Sequence, residues 1–236
     1  MIATRLHAVV LSALLCVPAV AVAQGPPGRG GPPQPPPTAR AGASVDLTGY
    51  WVSVITEDWR WRMVTPIKGD VAGIPLTPEA REVADAWDPA RDEAAGLACK
   101  AYGAAAIMRR PGRVRITWQD DQALKLEFDE GTQTRIFNFG TVKPVRGARP
   151  SWQGVSVANW ERPLQGIEPP DRSGIFAVRT GTGGRSLEVR TTGLRDGYLR
   201  KNGVPYSADT LVEEFFDYRR HPDNTEWFTV TTMATD

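Results

Sequence analysis

The sequence predicts an all-β domain: an antiparallel meander closed into a barrel, or a half-open barrel or sandwich, with one short helix near residues 77–88. Three observations carry this. Apolar residues recur at every second position over several short runs. Gly, Pro and Asp clusters separate those runs. One helix start is written in full, with Thr77 to cap, Pro78 at the first helical position and Glu79 at the positive end.

The elements follow in order. Val114, Ile116 and Trp118 alternate with Arg113, Arg115 and Thr117, and Leu124, Leu126 and Phe128 alternate with Lys125, Glu127 and Asp129. Asp120-Asp121-Gln122 between them makes a hairpin. Gly131 breaks the chain, and residues 133–139 form a strand with Arg135, Phe137 and Phe139 on one side. Further strands are expected at 49–58, 59–65, 104–109, 152–161, 175–179, 186–192, 210–218 and 226–232. In the helix, Val83, Ala84 and Trp87 share a face and Pro89 stops it; 88–103 is a loop or a short second helix. Residues 162–185 read as a surface insertion.

The chain has 236 residues, formal net charge +1, 8 Trp, 2 Cys and 2 His. A balanced charge disfavours a nucleic-acid partner. Two cysteines build no disulfide scaffold or structural zinc site. Arg5 and His7 precede an apolar run ending in Ala21-Val22-Ala23, the pattern of a secretory signal peptide over residues 1–23, cleaved near Ala23. That run is too short to span a bilayer comfortably, and no other is longer. Cleavage leaves 27 basic against 27 acidic residues, with Cys99 and His221 the remaining cysteine and histidine. Residues 24–44, with 7 Pro and 5 Gly, form a disordered linker. Residues 45–236 are then one domain in a periplasmic or secreted protein.

Gly49-Tyr50-Trp51 places a G-x-W on the first strand, which resembles lipocalin-type barrels. The resemblance implies that Trp51 closes one barrel end under Arg219 or Arg220. GYW (49–51), EDWRWRM (57–63), GTQTR (131–135) and GYLRKNGVPYS (197–207), with the PGR-x-x-ITW hairpin and W-x-G-x-S-V-A-x-W-E, together resemble a group of exported bacterial proteins. The resemblance implies a signal peptide and a β-rich domain, and transfers no reaction.

Catalytic constellations are weak. Gly154-Val155-Ser156-Val157-Ala158 matches a loose nucleophile elbow, with Asp196, Asp209 or Asp217 and His221 as triad partners. An elbow needs a strand–turn–helix, whereas Ser156 sits in a strand pattern. The pairs Glu57-Asp58, Asp120-Asp121, Asp129-Glu130 and Glu213-Glu214 point to opposite faces of a strand, so neither member of a pair assists the other.

The expectation is an exported protein that binds a small apolar molecule with a polar or acidic end, without metal or organic cofactor. Trp59, Trp61 and Phe137 line the site, Arg135 anchors charge, and Tyr198, Arg200 and Tyr206 gate it. The alternatives are an enzyme on the same barrel using Tyr, Asp and Arg, and an envelope assembly module with a protein partner.

Overall fold

The computed structural model describes residues 36–141, 149–161 and 186–236. The expected signal peptide, most of the proline-rich stretch, the insertion at 162–185 and the strand at 175–179 within it lie outside the described residues. The ten strands are β1 (Gly49–Val52), β2 (Arg113–Asp120), β3 (Ala123–Phe128), β4 (Thr134–Phe139), β5 (Val155–Trp160), β6 (Ser186–Thr192), β7 (Gly197–Tyr198), β8 (Pro205–Tyr206), β9 (Leu211–Arg220) and β10 (Glu226–Thr235). Eight of them make one curled sheet, a half-open barrel, in the order β1-β2-β3-β4-β5-β6-β9-β10. β7 and β8 pair as a separate small hairpin.

The alternation in the sequence decides which face curls inward. Val114, Ile116, Leu124, Leu126, Phe128, Phe137, Ala158, Leu187, Val189 and Phe216 form one buried cluster. Burying each large side chain contributes about 1.5–3 kcal/mol. Phe137 meets Phe216 edge-on at 5.5 Å between centroids, and Phe216 lies 5.9 Å from Phe228. The concave face is therefore filled by side chains. The predicted hairpin forms, with Asp120 opposite Ala123.

One joint departs from a meander. β4 and β5 are parallel, with Phe137 opposite Ser156. A parallel pair cannot be joined by a tight turn, and residues 140–154 separate the two strands in the sequence. β1 and β10 are the two edge strands, and the seam between them is bridged by side chains: Trp51 meets Phe228 edge-on at 4.6 Å. The Trp51 indole nitrogen donates to the Leu47 carbonyl at 2.9 Å. Trp51 thus packs against Phe228, and Arg220, one of the two arginines that the lipocalin resemblance places over Trp51, pairs with Glu226.

Four short α-helices occur among the described residues: α1 (Trp59–Arg62), α2 (Pro78–Asp85), α3 (Pro89–Ala94) and α4 (Ala104–Ile107). α2 is the expected helix, with the Thr77 hydroxyl accepting from the Ala80 amide at 3.2 Å. α3 realises the second helix, capped by Asp88 with Pro89 at its first position. Two expected strands are helical turns instead. At 59–65, Asp58 adopts φ 51°, ψ 24°, and its carbonyl accepts from the Arg62 amide at 3.0 Å. The left-handed residue turns the chain before W-R-W-R extends, so Trp59, Trp61 and Met63 do not form a strand face. At 104–109, three alanines favour a helix, and Ala104, Ala105, Ala106 and Ile107 are all buried. No helix among the described residues is long and apolar enough to cross a membrane.

Residues 37–44, expected as the end of the linker, are tied to the sheet. The Trp160 indole donates to the Ala39 carbonyl at 3.0 Å, and the Arg40 amide to the Asp121 carbonyl at 3.1 Å.

Candidate ligand-binding cleft at the sheet seam

The seven residues expected to build one site fall into four separate settings. Arg135 and Phe137 point into the filled interior, each 1% exposed. The Arg135 guanidinium forks onto Glu214, with Nη1–Oε1 at 2.9 Å and Nη2–Oε2 at 2.6 Å. Its Nη2 also donates to Thr191 Oγ1 at 3.2 Å, and Ser156 Oγ lies 2.8 Å from that hydroxyl. The role expected for Arg135, anchoring a ligand's charge, is corrected: the cation is enclosed and already paired. Phe137 is core rather than pocket lining. Ser156 belongs to this buried row on β5, while His221 lies against Trp227.

Trp59 is exposed on α1. Trp61, half-buried beside it, stands between two guanidinium groups, Arg200 at 4.9 Å and Arg60 at 5.2 Å from its ring centroid. Its indole donates to Asp70 Oδ2 at 3.1 Å, and Arg60 reaches the same oxygen at 2.7 Å. The indole donor holds the Asp70 carboxyl below the usual carboxylate range. Trp61 and Arg200 are thus brought together as expected, although within a packed cation–aromatic stack.

Tyr198 and Tyr206 flank the basic Asn-Gly turn, as the sequence implies, but both rings are buried. Tyr198 donates to Asp92 Oδ2 at 2.8 Å, and Lys100 Nζ lies 3.4 Å from its hydroxyl. Burial and the bond to Asp92 push the Tyr198 phenol far above its ordinary value. Tyr206 has no hydrogen-bond partner, and burial pushes it up to about 12. Neither tyrosine gates an opening.

The opening lies elsewhere, along the seam. A cleft of about 980 Å³ runs between the edges β1 and β10. Trp51, Phe228, Val230, Thr229 and Thr231 line its length, and Arg62, Arg109, Arg110 and Arg113 stand among its lining residues with Glu57, Glu130 and Glu226. Each of those acids holds a cation: Glu57 with Arg109 at 3.5 Å, Glu130 with Lys201 at 3.4 Å, and Glu226 with Arg220 at 3.8 Å. Arg113 pairs with Asp129 at 2.6 Å. Arg62 and Arg110 have no carboxylate partner among the described residues. Arg62 Nε donates to the Arg109 carbonyl at 2.9 Å. Arg110 donates to the Ala101 carbonyl from Nε at 3.2 Å and Nη2 at 2.8 Å. Burial, opposed by Tyr102 and Glu130 and reinforced by Arg109 and Arg62, lowers the Arg110 guanidinium to about 10.

Sequence reasoning missed this cleft because its walls, Trp51 and Phe228, meet only when the sheet curls. The signal on the page was the run Arg109-Arg110-Pro111-Gly112, two cations placed just before a turn into β2. The fold and cleft define a class: a half-open, curled β-sheet with an amphipathic seam. Scans against protein-family models, curated proteins and solved structures find no match to the chain.

Proposed function

We propose that the chain is an exported small-molecule-binding protein whose ligand lies in the seam cleft. The observation that carries this is the cleft itself, about 980 Å³ and lined by Trp51 from one sheet edge and Phe228 from the other, a volume within the range that encloses small organic ligands. Ligand occupancy there costs no repacking of the interior. Binding is read rather than catalysis because each carboxylate lining the cleft already has a cation partner in the protein. The leader expected at 1–23 would deliver this site outside the cytoplasm.

The test is titration of the purified chain with N-phenyl-1-naphthylamine, a neutral dye that brightens in apolar surroundings. Saturable brightening is expected. Phe228→Ala, which removes one wall, is expected to weaken it by about tenfold, equivalent to losing part of one buried aromatic contact. Absence of saturable brightening, or equal affinity in Phe228→Ala, overturns the reading.

A further inference from the structure

The cleft carries a second feature that concerns which ligands it selects, and the inference rests on the cleft being a binding site. A guanidinium has five N–H donors. Arg110 is 6% exposed, so its charge has left most of its water behind. Two of its donors go to one carbonyl, Ala101. Nη1 makes no hydrogen bond, and it is not among the solvent-excluded atoms that lack a partner. Glu130, whose charge acts on Arg110, is itself paired with Lys201 at 3.4 Å. The guanidinium also lies over the Tyr102 ring, 5.9 Å from its centroid, but it forms no ion pair among the described residues, and a buried cation gains from an anion that completes it.

Arg62, also a lining residue, repeats the pattern. It is half-buried, donates to the Arg109 carbonyl, and forms no ion pair among the described residues. The other cleft arginines, Arg109 and Arg113, are neutralised by Glu57 with Asp58 and by Asp129. Two guanidinium groups that form no ion pair among the described residues therefore line a cleft that also carries Trp51, Phe228 and several threonines. On Arg110 three donors are left over, two on Nη1 and one on Nη2, and one from each nitrogen forms the end-on pair that matches the two oxygens of a carboxylate.

We propose that the seam cleft selects apolar molecules ending in a carboxylate, with Arg110 and Arg62 as the groups that recognise the anion. The apolar part lies along Trp51 and Phe228, and the carboxylate replaces the water that Arg110 has lost. The sequence supplies a cation of this kind at Arg135, but Glu214 occupies it; the free charge is Arg110.

The test compares octanoate with octanol, which share a chain and differ in charge, as competitors of the neutral dye on the purified chain. Octanoate is expected to displace the dye at about tenfold lower concentration or less, the preference one or two charge-assisted hydrogen bonds provide. Arg110→Met and Arg62→Met should each narrow the preference, and the double variant should erase it while the dye still binds. Arg110→Lys, which keeps charge without the fork, should retain part of it. Equal displacement by octanoate and octanol, or a preference that survives in the double variant, overturns the inference while leaving dye binding, and so the proposed function, intact. A chain that binds neither dye nor octanoate, the latter read directly by calorimetry, overturns both. If an arginine variant fails to fold, the wild-type comparison of octanoate with octanol still decides.

Discussion

Glu214→Gln is expected to be the most destabilising single conservative change in the domain, costing about 3–5 kcal/mol. Glu214 and Arg135 are both fully enclosed, with side chains 0% exposed. Their attraction offsets a large desolvation cost only because the geometry is a double fork, at 2.9 and 2.6 Å, and because Thr191 and Ser156 supply further oxygen partners. An amide at 214 keeps the shape and removes the charge, which leaves the guanidinium buried without a counter-ion. A domain of this size holds about 5–15 kcal/mol in total, so the melting temperature should fall by roughly 10 °C or more, at about 2–4 °C per kcal/mol. Arg135→Met should fall similarly, since it strands the carboxylate. The double change Arg135→Met with Glu214→Leu should recover most of the loss, because apolar replacements of similar volume remove both desolvation costs. Thermal unfolding followed by circular dichroism reads all three. A Glu214→Gln protein that melts with the wild type would show that the pair is not closed in solution. The folded double variant should still bind the neutral dye, since Arg135 faces the interior rather than the seam.

This pair also marks how far the sequence could be read. Alternation placed Arg135 on the same face as Phe137 and Phe139, and it separated Glu213 from Glu214; both are correct, with Glu213 on the outer face beside Arg190. The curled sheet, the Asp120–Ala123 hairpin and the Thr77-Pro78 helix start were legible for the same reason, since each is encoded within a few neighbouring residues. Arg135 and Glu214 stand 79 positions apart in the chain and are joined by a sheet order that depends on the parallel β4–β5 joint. No local pattern encodes that. The seam cleft is harder still, because Trp51 and Phe228 come from the two sheet edges. Short segments misled for a different reason: W-R-W-R at α1 alternates perfectly, yet four residues cannot outweigh the left-handed turn at Asp58. The tyrosines of the Asn-Gly hairpin were found as a pair, but whether they face solvent depends on what packs over them.

What packs over Tyr206 gives the second large effect. Gly197→Ala is expected to cost about 1–3 kcal/mol or more by overpacking. Tyr206 is 2% exposed, and a methyl on Gly197 would sit well inside contact distance of its Cζ and Oη, with Cε1 at 2.7 Å. A methyl on Gly103 would press on the same hydroxyl and also lie 2.9 Å from the Trp152 carbonyl oxygen. Tyr206 is thus packed against two glycine backbones. Neither glycine has the positive φ that would strain an alanine by itself, so the penalty is one of space. The hydroxyl has no hydrogen-bond partner, so Tyr206→Phe removes a buried group that is paid for by burial and returns nothing. That variant should melt no lower than the wild type. Combined with Gly103→Ala, whose nearest obstacle is Oη, it should recover part of that variant's loss; combined with Gly197→Ala, which also meets ring carbons, it should recover less. A double-mutant cycle of melting curves measures the two couplings. Equal recovery in both pairs, or a Gly197→Ala protein as stable as the wild type, would mean that the hairpin does not hold Tyr206 against these backbones.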